Sequence, residues 1–408
     1  MPKSNTSTFH QSIGVCYLRR YFSLFNYSST MRLFAYFVLA CLLSNCTSTP
    51  TTKNVSEEVE TVAPTTLDLL IGTYTGQGSD GIYSLLFNLE TGKLDSLRLM
   101  AKTTNPSYLA ISKDRSRVFT VNETQNGGVS SFAWNKISNE LELISEQPSE
   151  GDYPCYAALN ADESLFTIGN YITGNVLAYQ LNSGGVIAPS PTIKQHVGTG
   201  ANPDRQEGPH AHCTIFSKDN NFLYAVDLGI DQVLAYQAGD ETLGEASVAL
   251  QMDAGDGPRH LIFHPTKNMA FVINELSGTV VSASIDTATG QLTKISKAST
   301  LPDDFEGENS CADIHISNDG NFLYASNRGH NSIAIFSVSS DGSLKRIANE
   351  SVRGDWPRNF TLSPDNRFLL VANQRSNNIV VFERNAETGL LSFTGTDVSV
   401  SQPVCLKF

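Results

Sequence analysis

Basic residues are scarce in this chain: 28 Lys and Arg stand against 41 Asp and Glu among 408 residues, a formal charge of -13. No Lys/Arg-rich run offers the cationic stripe that a phosphate backbone requires, which removes nucleic acid from the expected partners. An anionic small molecule must then be held by a local group of Arg and His working against the net field. Long apolar runs are missing too, and the stretch Leu33 to Leu43 is too short to span a bilayer comfortably. None of the seven Cys forms a C-x-x-C pair, no H-E-x-x-H is present, and the His210-x-His212 pair lacks a third ligand at a recognisable spacing. The expectation is therefore no metal. Without a G-x-S-x-G elbow or a Walker loop, serine-hydrolase and nucleotide chemistry lose support, and no cofactor is expected.

What is present begins with an address. From Met31 the chain reads Arg32, the apolar run to Leu43, then Ser44-Asn45-Cys46 and a Thr/Pro/Ser/Glu-rich stretch. A charged start, a short greasy core and a small-residue exit describe a signal peptide over residues 31–45. Its ending resembles a bacterial lipoprotein box, in which Cys46 would carry lipid and anchor the protein to the membrane of the cell envelope. Asn45 departs from the Gly, Ala or Ser usual there. Residues 1–30 read as an over-extended start or disordered extension, and residues 46–66 as a flexible tether.

Residues 67–408 repeat. Seven anchors recur about every 45–55 residues, a propeller-like period: Asn105-Pro106-Ser107-Tyr108, Tyr153-Pro154-Cys155-Tyr156, Gly208-Pro209-His210-Ala211-His212, Gly257-Pro258-Arg259-His260, Cys311-Ala312-Asp313-Ile314-His315, Trp356-Pro357-Arg358-Asn359 and Gln402-Pro403-Val404-Cys405. Most lead into an apolar strand, a tight turn such as Ser317-Asn318-Asp319-Gly320, and further strands, so four short antiparallel strands make one unit. The last anchor begins a unit for which no chain remains, whereas Leu67 to Leu70 and Gly81 to Leu89 are strands without an anchor. The ends complete each other. The fold expected is all-β, a seven-bladed β-propeller closed by its terminal strands sharing one blade. Cys155, Cys213, Cys311 and Cys405 lie in apolar strand patterns and read as buried free thiols.

In such a ring the innermost strands line a central channel. Three anchors break the neutral pattern, with His210 and His212, Arg259 and His260, and Asp313 and His315. On neighbouring strands Asp227, Asn274-Glu275, Arg328 and His330 follow directly on apolar runs, where packing gives no reason for a charge. The bland readings stay open: His212 and His315 as satisfied blade histidines, Asp313 as a link between blades, and Arg259, Glu275 and Arg328 as a structural ion network.

Taken together, Gly208-Pro209-His210-Ala211-His212, Gly257-Pro258-Arg259-His260-Leu261-Ile262-Phe263-His264-Pro265, Asn274-Glu275-Leu276, Asp313-Ile314-His315 and Ser326-Asn327-Arg328-Gly329 resemble the propeller lactonase family. This family holds bacterial 6-phosphogluconolactonases and fungal carboxymuconate lactonizing enzymes. The resemblance implies a metal-independent enzyme acting on a small lactone, with catalytic roles at His210, Arg259, Glu275 and Arg328. Glu275 would be the general base, the two arginines would hold the acidic group and the oxyanion, and His210 would orient or protonate the ring oxygen. Substrate contacts are expected from His212, His260, Asn274, Asp227 and His330. Cycloisomerisation of a carboxylated diene acid and a non-catalytic binding platform on the envelope are the alternatives.

Overall fold

The computed structural model describes residues 65–239 and 242–408. The signal segment, Cys46 and all of the tether before Thr65 lie outside the described residues. The described chain is made of strands, and none of its segments is a helix long and apolar enough to cross a membrane.

Twenty-eight strands form seven four-stranded antiparallel sheets, one per blade. Blade 1 joins the two ends of the repeat: its innermost strand is Pro403–Lys407, paired to Thr66–Thr73 through Leu70↔Lys407, Ile71↔Leu406 and Gly72↔Cys405. Blades 2 to 7 begin with the inner strands Leu109–Ile111, Pro154–Leu159, Ala211–Phe216, Pro258–Phe263, Ser310–Ile316 and Pro357–Leu362. Each inner strand touches the next around the whole circle, so the ring has no open edge at its bore.

The blades pack face to face through alternating apolar residues. The seam between the last blade and the first shows why the ring closes: Leu69, Ile71, Leu85 and Phe87 bury against Phe368, Leu370, Ile379 and Val381. The hairpin turns are set by a repeated side-chain device. In Ser317-Asn318-Asp319-Gly320, Ser317 Oγ donates to Asp319 Oδ1 at 2.6 Å, which also accepts from the Asn321 amide at 2.8 Å, and Gly320 supplies the left-handed residue at φ 73°. Ser112 with Asp114, Ser217 with Asp219 and Ser363 with Asp365 repeat the pairing. The four body cysteines are buried and free, as their strand pattern suggests.

Candidate active site

Two positions of the repeat build the centre of the ring. One is a β-bulge on the inner strand. Register slips between Pro154 and Tyr156, Ala211 and Cys213, Pro258 and His260, and Pro357 and Asn359, which leaves Cys155, His212, Arg259 and Arg358 unpaired on their strands. A bulge frees a side chain from the alternation of the ladder and re-aims it. The other position, in five of the blades, is the residue directly after a polar one at or next to the end of the second strand: Tyr74, Glu123, Tyr171, Glu275 and Arg328 follow Thr73, Asn122, Asn170, Asn274 and Asn327.

The polar residue before that position is structural. Asn122, Asn170, Asn327 and Asn373 donate through Nδ2 to the carbonyls of Thr104, Ser149, Thr300 and Val352 at 2.7, 2.7, 3.1 and 3.1 Å. Successive strand residues face opposite ways, so clamping one turns the next into the bore.

These positions meet in a cavity of about 390 Å³ lined by Tyr74, Glu123, Tyr171, His212, Glu275, Arg328 and their neighbours. Arg205 enters it from the loop between the outer strand of blade 3, Thr192–Gln195, and the inner strand of blade 4. At its centre Glu275 is clamped by three guanidinium groups. Arg205 Nη2 lies 2.7 Å from Oε1, while Arg328 Nη2 and Arg259 Nε lie 2.8 and 3.0 Å from Oε2. The Arg259 contact is an ion pair without hydrogen-bond alignment, since Nε has no hydrogen-bond partner, and Arg259 Nη1 donates instead to the Ala312 carbonyl at 2.6 Å. Burial works against ionisation of Glu275, but Arg328, Arg259 and Arg205 outweigh it and bring the carboxyl down to about 2. Burial also brings Arg328 down to about 10, against the pull of Glu275, so the pair stays ionised near neutral pH.

A second cluster faces the first. Arg358 Nη2 lies 3.6 Å from Glu123 Oε1, which also accepts from the Tyr74 hydroxyl at 2.7 Å. Four guanidinium groups against two carboxylates leave a local positive excess inside a chain of charge -13. The flank is aromatic. Arg328 sits 5.2 Å from the ring centre of Trp356, which is held at φ 67°, a left-handed backbone unusual for so bulky a residue. His212 is neutral, because burial, then Arg259, drives its imidazole well below the usual range. Among the described residues no group of three or more His, Cys, Asp or Glu is placed to hold a metal ion.

Of the residues singled out in the sequence, Glu275, Arg328 and His212 line the cavity, and Arg259 and His260 border a smaller space beside it. The others are placed differently. His210, one of the expected catalytic residues, stacks on Tyr171 at 4.5 Å and is fixed to the Tyr171 carbonyl, so the bulge brings His212 forward in its stead. Asp227 and Asn274 occupy the structural position: Asp227 bonds His196 and the amides of His210 and Gly229, and Asn274 donates to Thr279. His330 bonds Ser332 and meets Phe305 edge-on, away from the cavity lining.

Arg205, Arg358, Glu123, Tyr74, Tyr171 and Trp356 escaped the sequence reading. Most carried a signal. Arg358 sits in the same Pro-Arg frame as Arg259, and Tyr74, Glu123 and Tyr171 hold the same repeat position as Glu275.

Residues 68–408 match the family described as lactonase, 7-bladed beta-propeller. The chain is 36% identical over 340 residues to a 6-phosphogluconolactonase of Bacillus subtilis, covering 83% of this chain and 97% of that one. A 6-phosphogluconolactonase of Formosa agariphila is 33% identical, over 79% of this chain and 94% of its own length. The solved structure of a periplasmic gluconolactonase of Pseudomonas aeruginosa superposes with a TM-score of 0.80 at 33% identity, covering 84% of this chain and 98% of the other. Blade number, ring closure and sequence thus agree, and the chain belongs to the seven-bladed β-propeller lactonase family.

Proposed function

We propose that this chain hydrolyses a sugar-type lactone carrying an anionic group, in the cavity at the mouth of the bore. The observation that carries this reading is the convergence of Arg205, Arg259 and Arg328 on one buried carboxylate in a cavity of about 390 Å³. Relatives named 6-phosphogluconolactonase and periplasmic gluconolactonase support it.

In this reading Arg205, Arg328 and Arg358 bind the anionic group and the oxyanion that develops as the carbonyl is attacked, in a site where water competes weakly. Neutral His212 offers a hydrogen bond to the ring oxygen, and Trp356 and Tyr171 flank the sugar ring. The base role expected of Glu275 fits poorly with a carboxyl held at about 2, which retains a proton weakly. Its proposed task is to array the guanidinium groups, whose mutual repulsion would otherwise scatter them.

The test is ring opening of 6-phosphogluconolactone and unphosphorylated gluconolactone, followed by acid release at constant pH. Wild-type protein is expected to exceed the spontaneous rate, and Arg328→Ala to lose about 10²–10³-fold in kcat/KM. A preference for the phosphorylated lactone that disappears in Arg205→Ala would assign Arg205 to the phosphate. Rates equal to the spontaneous reaction with both lactones would end the proposal.

A further inference from the structure

Beside the main cavity lies a second, smaller space of about 10 Å³, bordered by Ser107, Tyr108, Glu123, Cys155, Arg259 and His260 among others. It adjoins the main cavity across Glu123, Cys155 and Arg358, which border both. Three buried polar atoms of the residues that line it have no hydrogen-bond partner within the protein: Ser107 Oγ, Glu123 Oε2 and Arg259 Nε, of which only Arg259 Nε has an ion-pair contact, to Glu275. The other Glu123 oxygen is fully engaged by Tyr74 and Arg358. Behind the space, Tyr108 stacks on Tyr156 at 4.0 Å, and His260 meets both rings edge-on at 6.0 and 5.1 Å, so this side is walled by aromatic rings.

A space of roughly 10–15 Å³ with two or more polar partners is what one water molecule requires. Burying an acceptor such as a carboxylate oxygen without a partner costs several times what a satisfied one does, so the unpaired Glu123 oxygen points to a ligand. We infer that this chamber is a binding site for a single water, held by Ser107 Oγ and Glu123 Oε2, and that this water is the nucleophile of the lactone hydrolysis proposed above, with Glu123 as its base. The inference rests on that reading for its chemistry, not for the water site itself.

The two carboxylates of the bore then divide the work. Glu275, gripped by three guanidinium groups, organises positive charge, while Glu123 keeps one oxygen free to take a proton. In the step, an O–H bond of the water breaks and its proton passes to Glu123 Oε2, as the water oxygen bonds to the lactone carbonyl carbon. The bond from that carbon to the ring oxygen then breaks, and the proton moves from Glu123 to the departing alkoxide. Lactone and water become the hydroxy acid, and Glu123 is left as it began.

The experiment combines a high-resolution crystal structure of the wild-type protein with kinetics of chamber variants. The inference expects one oxygen peak within hydrogen-bond distance of Ser107 Oγ and Glu123 Oε2. Glu123→Gln should lose about 10²–10⁴-fold in kcat with KM little changed, and added formate should restore part of the rate to Glu123→Ala. Ser107→Ala, a milder change that keeps the chamber walls, should lose about tenfold in kcat. No peak at the site, or an unaltered kcat in Glu123→Gln, would overturn the inference. Were wild-type protein to open no lactone, the functional reading would fail while the crystal structure still decided the water site.

Discussion

Glu275 holds its negative charge where burial alone would remove it, and the three arginines around it tie that charge to the stability of the ring. Its carboxyl lies at about 2 in the fold, against an ordinary 4.5. A carboxyl depressed in this way stabilises the fold above its ordinary value, and the contribution drains away as pH falls from about 4.5 toward 2. The shift corresponds to roughly 3 kcal/mol when complete. His260 adds to the loss: burial, then Arg259, brings it to about 4 from 6.5, so its contribution is lost as pH falls from 6.5 toward 4. Thermal unfolding between pH 7 and pH 3 is therefore expected to show stability declining below pH 6.5 and more steeply below 4.5. Glu275→Gln should start lower by about 3–5 kcal/mol, because it leaves buried guanidinium groups without their anion, and should decline less steeply below 4.5. An equal slope in both proteins would show that Glu275 is not the group responsible. Arg205 carried no mark in the sequence, whereas Arg259 was legible because it breaks the neutral pattern of the anchors, and Glu275 and Arg328 because a charge directly after an apolar strand has no packing role. Asp227 and Asn274 show the same pattern and do not reach the cavity, since one step along a strand reverses the direction of the side chain.

Single strands and loops decide which of these neighbours faces the bore. Asp227 ends the second strand of blade 4, Phe222–Asp227, and gathers three partners from separate segments: His196 Nδ1 at 2.5 Å, the His210 amide at 2.7 Å and the Gly229 amide at 2.9 Å. It thereby fixes both ends of the loop that carries Arg205. Gln206, fully buried beside Arg205, adds a bond from Nε2 to the Leu228 carbonyl at 2.8 Å. Asp227→Ala is expected to cost about 3 kcal/mol in denaturant unfolding by leaving buried donors unpaired. Its effect on catalysis should fall on KM, through Arg205, more than on kcat. A stable variant with a large loss confined to kcat would instead make Asp227 part of the chemistry. None of this could be read from the pattern alone. The bulges that exchange His212 for His210 arise from pairing between strands, and Arg205 lies in a loop outside the repeat, where no periodic position marks it.

At the scale of the whole molecule, the cavity exists only because seven blades share one bore, and the repeat made that ring legible. Regular anchors, the Ser-x-Asp turns and the unmatched terminal strands all follow from local patterns that pairing must satisfy, so architecture could be counted from the sequence while the detailed contents of the bore could not. Closure depends on the last six residues, 403–408. Pro403–Lys407 supplies the inner strand of blade 1, and Leu406 and Phe408 pack with Leu69, Ile71 and Phe87 at the seam with blade 7. The Leu109 amide also lies 3.4 Å from Cys405 Sγ, which links the closing strand to blade 2. Removing residues 403–408 would expose an unpaired strand edge on blade 1 and open the apolar seam, the combination that favours edge-to-edge association. The truncated protein is expected to be lost to aggregates or to unfold at least 10 °C below the full chain, with lactone turnover lost in parallel because Arg358 and Arg328 would no longer be held across one bore. Adding the missing segment as a peptide should restore part of both stability and turnover, since the edge it pairs with remains intact. A truncated protein that stayed monomeric with unchanged melting would show that the seam between blades 1 and 7 holds without its shared strand, and that the cavity owes its shape to the other six blades.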